Sequence, residues 1–296
     1  MTIAMRQQMA WTVEELLEHD ERLAVLLVEI SVPLFSAAFR KYPERVHNLG
    51  ILEQSAVSVA AGMALEGFIP VLHSITPFLV ERPFEQIKDD FCYQRIGGNF
   101  ISTGASYEYS TEGMTHHAPG DVQILRSLPG MQIVIPGTAQ EFDRLFRQSY
   151  ANGSPTYYRT SNTNNPVEYP VQFGKLTVVK EGKRATVIAV GPALARVLPA
   201  VADLDLTVLY CTTVAPFDAE TLRATCQGSD IVLVEPYYEG VLVADICAAM
   251  RHTPIRIEAI GIPHQVLSHY GTPEEHDQAL GLTAQGIRQR IERFLG

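Results

Sequence analysis

The chain has 296 residues, 46% hydrophobic and 19% charged, enough for a sizeable core in two domains of roughly 150 residues each and too apolar for wholesale disorder. Lys and Arg number 23 against 33 Asp and Glu, a net charge of −10, which excludes a general nucleic-acid binder working through a basic face. A local basic pocket remains compatible with that average. The cysteines Cys92, Cys211, Cys226 and Cys247 are scattered, without a C-x-x-C pair or zinc-ligand spacing, and read as reduced thiols. Met1 to Gln8 lacks the apolar stretch of a signal peptide, and Leu23–Val28 is too short to cross a bilayer. A soluble, cytoplasmic protein with no membrane partner is expected.

In chain order, short apolar runs predict strands at Leu23–Ile30, Pro70–Ser74, Phe100–Thr103, Met131–Ile135 and Thr156–Thr160. Helical periodicity predicts helices at Thr12–His19, Val32–Arg40, Glu53–Leu65, Phe84–Tyr93, Asp121–Leu128 and Ala139–Tyr150. The Asn-, Pro-, Ser- and Thr-rich stretch Asn152–Tyr169 reads as a loop closing one domain, followed by a polar, hairpin-like stretch over Val171–Glu181. The alternation then resumes, with strands at Ala185–Val190, Leu206–Cys211, Ile231–Glu235 and Ile255–Ile260. Helices at Ala193–Ala202, Ala219–Cys226, Val241–Arg251 and Thr283–Phe294 lie between and after them. The pattern predicts two α/β domains, each a largely parallel sheet between helical layers, spanning 1–170 and 171–296.

Three segments carry side chains suited to chemistry. Glu53 opens a helix rich in small residues (Ala56, Ala60, Ala61, Gly62, Ala64). A carboxylate there either serves its own helix start or faces a ligand that the small residues admit. His116 and His117 follow a Gly-, Ser- and Tyr-rich loop. Adjacent histidines in an extended loop point different ways, so at most one faces a given ligand, and a loop His is either solvated or an acid–base group. Phe78 and Phe84 flank Arg82, and such rings either fill core or stack on a heterocycle. G-x-x-x-x-G-K-[ST], a strand-borne G-x-G-x-x-G, G-x-S-x-G and H-E-x-x-H are all absent, which disfavours a nicotinamide-binding dehydrogenase.

Taken together, N-x-G-I-x-E-Q at Asn48–Gln54, G-F-x-P at Gly67–Pro70 and R-x-F-E-Q-I at Arg82–Ile87 resemble the pyrimidine-binding domain of the transketolase family. E-G-x-T-H at Glu112–His116 and L-P-G-M-x-I-x-x-P at Leu128–Pro136 continue that resemblance. Ser268–Glu275 and Gly281–Ile287 are similar to the C-terminal domain of transketolases and deoxyxylulose phosphate synthases.

The resemblance implies roles residue by residue. Glu53 would hydrogen-bond a ring nitrogen of the aminopyrimidine of thiamine diphosphate, in an apolar setting to which Ile51 and Leu52 contribute. Phe78 would stack on that ring, with Ile75 at a neighbouring position that is aromatic in typical members. His116 would lie near the reacting carbon and reach a substrate hydroxyl, and Glu112 stands in place of an Asp that contacts substrate hydroxyls. Arg159, with Arg6 as a second contact, would bind a sugar phosphate. A further active-site His of ordinary transketolases falls near Gly104, where this chain has none. The family binds Mg2+ and the diphosphate through a separate domain marked by Gly-Asp-Gly, which is missing here. The resemblance therefore implies the C-terminal subunit of a split enzyme moving a two-carbon ketol unit from a ketose to an aldehyde. Two copies would assemble with two of an N-terminal, diphosphate-binding transketolase-like subunit as an α2β2 heterotetramer. The alternatives are the beta subunit of a 2-oxo acid dehydrogenase and a non-catalytic regulatory subunit of the same fold.

Overall fold

Alternation within the buried strands sets the layering. The computed structural model describes residues 3–296. In β1 (Leu23–Leu27), Leu23, Val25 and Leu27 enter one hydrophobic core and Leu26 the other. This is the period-two pattern of a strand buried on both faces. β2 (Val46–Asn48), β3 (Ile69–Ile75), β4 (Gly98–Thr103), β5 (Gln132–Val134) and β6 (Pro155–Arg159) join β1 in the first sheet. The second sheet comprises β7 (Leu176–Lys180), β8 (Ala185–Val190), β9 (Leu206–Cys211), β11 (Asp230–Tyr238) and β12 (Arg256–Ile262).

β10 (Thr213–Ala215) follows β9 in sequence but pairs antiparallel with β5, so the first sheet has seven strands in the order β10-β5-β6-β4-β3-β1-β2. The second has five, β12-β11-β8-β9-β7, parallel except for β7 against β9. The two mostly parallel sheets with flanking helices match the expected α/β architecture. The polar stretch expected to be hairpin-like contains an edge strand, β7, paired with β9.

Helices begin where their caps dictate. Thr138 accepts from the Glu141 N–H ahead of Ala139–Ser149, which buries Phe142, Leu145 and Phe146. Thr272 and Glu275 form a reciprocal capping box on Pro273–Ala279, a helix that the periodicity does not predict. Glu53–Leu65 begins at the expected residue and turns Ala56, Val57, Ala60 and Ala61 inward. Among the described residues no helix is long and apolar enough to cross a membrane.

Candidate active site

Three elements converge on Glu53. It is the first residue of its helix and is 4% exposed. Immediately after β3, the helix Thr76–Val80 presents a half-buried Phe78. Arg82, in the turn that follows, donates from Nη1 to Glu53 Oε1 at 2.7 Å while its Cζ lies 3.8 Å from the Phe78 ring centroid. From the third element, the His116 ring meets Phe78 edge-on, with centroids 5.0 Å apart at 72°. Carboxylate, aromatic ring and imidazole are thus linked, Glu53 to Phe78 through Arg82 and Phe78 to His116 directly.

The two histidines separate as the loop geometry requires. His116, half-buried, has Nδ1 3.0 Å from Thr115 Oγ1 and faces Phe78 and Tyr109. His117 points the other way, into the contact with the C-terminal half, where its ring meets His276 edge-on at 5.5 Å. It is 2% exposed and neither ring nitrogen has a hydrogen-bond partner. Burial, then the positive charges of His276 and His116, push its pKa below the ordinary histidine value.

Arg6 is tied to β3 through a relay. Its Nε donates to Ser31 Oγ at 2.6 Å, and that hydroxyl lies 2.7 Å from His73 Nε2. His73 Nδ1 lies 2.8 Å from the Ile101 carbonyl, which fixes the Nδ1–H tautomer and leaves Nε2 to accept from Ser31. Desolvation brings the His73 pKa down to about 4, so this imidazole is neutral. Glu112 is exposed in the turn Ser110–Thr115, and Ile75, half-buried, closes β3 directly before the Phe78 helix.

Ile51 and Leu52 are 68% and 57% exposed in the single chain, where Glu53 pairs with Arg82. One expectation is corrected. Arg159 is not an open phosphate contact. It is 1% exposed, donates from Nε to Asp121 Oδ2 at 2.7 Å and from Nη2 to Ser106 Oγ at 2.8 Å. Tyr157 donates to the same Asp121 oxygen at 2.7 Å. Arg159 lines a cavity of about 50 Å³ between the two halves, whose walls include none of Glu53, Phe78 or His116.

The spacing of charged residues did not point to Tyr109 or Tyr270. At Gly104, where φ is +79°, a Cβ would run into the Tyr109 ring. At Gly113, where φ is +70°, a Cβ would meet Tyr270 at 2.7 Å. A chain segment of the C-terminal half therefore lies against the turn that carries Glu112.

Family models decide the relationship. Residues 1–167 match the transketolase pyrimidine-binding domain, and residues 174–287 match the transketolase C-terminal domain. The chain belongs to the transketolase family. An uncharacterized 33.6 kDa protein in the fasciation locus of Rhodococcoides fascians is 39% identical, with 96% of this chain aligned to 93% of that protein. One of the subunits of the apulose-4-phosphate transketolase of Phocaeicola vulgatus is 27% identical over 92% of this chain and 95% of its own length. The chain spans 42% of 1-deoxy-D-xylulose-5-phosphate synthase from Vibrio vulnificus, at 28% identity over 86% of this chain. A solved split-gene transketolase, described as an inactive β4 tetramer, superposes with a TM-score of 0.89 at 27% identity over 99% of this chain and 98% of that one. This transketolase-family chain shares its fold with that structure over nearly its full length.

The site's chemistry fits the aminopyrimidine of thiamine diphosphate, and Arg82 is the physical evidence. A planar, delocalised group with donors along its edge already sits on the Phe78 face and donates to Glu53. An aminopyrimidine has the same flat shape for the Phe78 face, and its ring nitrogen accepts a hydrogen bond that the Glu53 carboxyl would donate. Among the described residues, no group of three or more His, Cys, Asp or Glu is placed to hold a metal ion.

Proposed function

We propose that this chain is the pyrimidine-binding half of a two-chain, thiamine diphosphate-dependent transketolase that moves a two-carbon ketol unit from a ketose to an aldehyde. The observation that carries the reading is the convergence of Glu53, Phe78 and His116 from three separate elements. Alignment over nearly the full length of a protein named as one subunit of a transketolase supports it. When bound, the cofactor supplies a carbon nucleophile able to add to a carbonyl. Glu53, shielded from water, holds a ring nitrogen through a carboxyl hydrogen bond and so sets the ring's tautomer. Phe78 fixes the plane of the ring. His116 hydrogen-bonds a substrate hydroxyl and moves its proton, assisted by the exposed Glu112 at the mouth.

The partner supplies what this chain lacks, binding Mg2+ and the diphosphate. Its docking also covers Ile51 and Leu52, giving Glu53 the apolar setting that the single chain leaves open. Two copies of each chain make the functional unit, because a ligand held between chains ties its affinity to their association.

The test is reconstitution with the diphosphate-binding chain and a screen of ketose donors and aldehyde acceptors. Glu53→Gln is expected to lower turnover by about 100-fold or more. Unchanged turnover in that variant, or lipoamide-dependent decarboxylation of a 2-oxo acid in place of ketol transfer, contradicts the reading.

A further inference from the structure

We propose that Arg82 gates the pyrimidine slot: in the free chain its guanidinium occupies the place of the aminopyrimidine between Glu53 and Phe78, and it swings out when thiamine diphosphate seats. The inference rests on the cofactor reading above and concerns a residue to which that reading gives no role.

A guanidinium is flat, carries donors around its edge and stacks on aromatic faces. Arg82 uses all three properties at once, with Nη1 2.7 Å from Glu53 Oε1 and Cζ 3.8 Å from the Phe78 centroid. At 3.8 Å the guanidinium is in stacking contact, so a second planar group cannot share that face at the same spacing. His116 lies at 72° to the same ring, with centroids 5.0 Å apart, and so is not stacked on it. Occupant and cofactor therefore compete for one carboxylate and one ring face.

The release path is short. The Arg82 side chain is 41% exposed, and Glu53 is its only ion-pair partner among the described residues. Its backbone is anchored in the turn by a bond from its N–H to the Pro77 carbonyl at 3.3 Å. The side chain can leave without moving the main chain, breaking one ion pair and one stack. Until it leaves, it satisfies a buried carboxylate that would otherwise stand unpaired, and it keeps the Phe78 face dry.

Calorimetric titration of thiamine diphosphate, with Mg2+ present and sugar absent, into the reconstituted pair tests this, alongside thermal unfolding of the chain alone. Arg82→Met is expected to bind the cofactor about threefold to tenfold more tightly, the worth of one exposed ion pair and one cation–π stack. The same substitution is expected to lower the unfolding temperature of the free chain. Opposite signs are the signature of a stand-in occupant, since a structural or cofactor-holding arginine would lower both. Arg82→Lys, which keeps the charge and loses the planar stack, is expected to fall between, and it carries the test if Arg82→Met does not fold. Equal or weaker binding by the variants, or a loaded pair with Arg82 still on both Glu53 and Phe78, overturns the gate alone. A wild-type pair that binds no cofactor overturns the cofactor reading and the gate with it.

Discussion

His73 shows how a single buried side chain gives this protein a pH dependence. The folded chain resists protonating it until about pH 4, whereas an unfolded histidine takes up a proton near about 6.5. Between those values the unfolded state binds more protons, so His73 favours folding above about 6.5 and that contribution is lost as the pH falls toward about 4. The difference is on the order of 3 kcal/mol. Urea unfolding at about pH 7 and about pH 4.5 is expected to show this loss for the wild type and a smaller one for His73→Gln; equal losses would contradict it. None of this was visible in the sequence, where His73 is one apolar-strand residue among others. Arg159 gives the reverse lesson. The family resemblance implies a phosphate contact at Arg159, and only packing reveals Asp121 against it. Glu53, Phe78 and His116 were legible because motif order, not residue chemistry alone, singled them out.

At the scale of elements, the loop from Gly104 to Gly120 is held from both sides. Ser106 pairs across it with Ala118 and donates from its hydroxyl to the Pro236 carbonyl. Tyr107 donates to Asp277, which also binds Arg196, and the Tyr107 ring stacks on His276 at 4.9 Å. The helix carrying His276 and Asp277 thereby positions the loop that carries His116. Asp277→Ala strands the Tyr107 hydroxyl and the Arg196 guanidinium, at a cost of about 1–3 kcal/mol. Amide exchange across 105–118 is expected to speed up in that variant while β1 and β3 stay protected; uniform speeding would assign Asp277 to global stability instead. Gly104→Ala forces a side chain into the left-handed region and against Tyr109. It is expected to cost about 1–3 kcal/mol and displace the loop, seen as weakened substrate saturation with the fold intact.

Elements with a strong apolar pattern were the readable ones. The helix at 53–65 and the buried strands announced themselves through period and apolar runs, whereas the pattern shows only the second half of the helix Met5–His19. β2 and β10 lie outside any such run. The pairing of β10 with β5 joins residues about 80 apart in sequence, a contact that local pattern cannot reveal.

For the whole molecule, the exposed apolar residues on and around the helix that begins at Glu53 matter most. Ile51, Leu52, Val59, Leu65 and Phe68 are 38–68% exposed, on and around one helix whose outward face is otherwise small. Such a surface is a cost in a monomer and a benefit once covered. Leu65→Glu is expected to shift sedimentation of the mixture with the partner toward smaller species while leaving the chain's own unfolding temperature unchanged. Undiminished assembly would place the interface elsewhere.

The proposed function stands on Glu53 holding the aminopyrimidine ring. A crystal structure of this chain with its diphosphate-binding partner, Mg2+ and thiamine diphosphate tests it. The Glu53 carboxyl is expected within hydrogen-bond distance, about 2.5–3.0 Å, of a pyrimidine nitrogen, with the ring stacked on Phe78. A bound cofactor whose ring lies away from both side chains would contradict it.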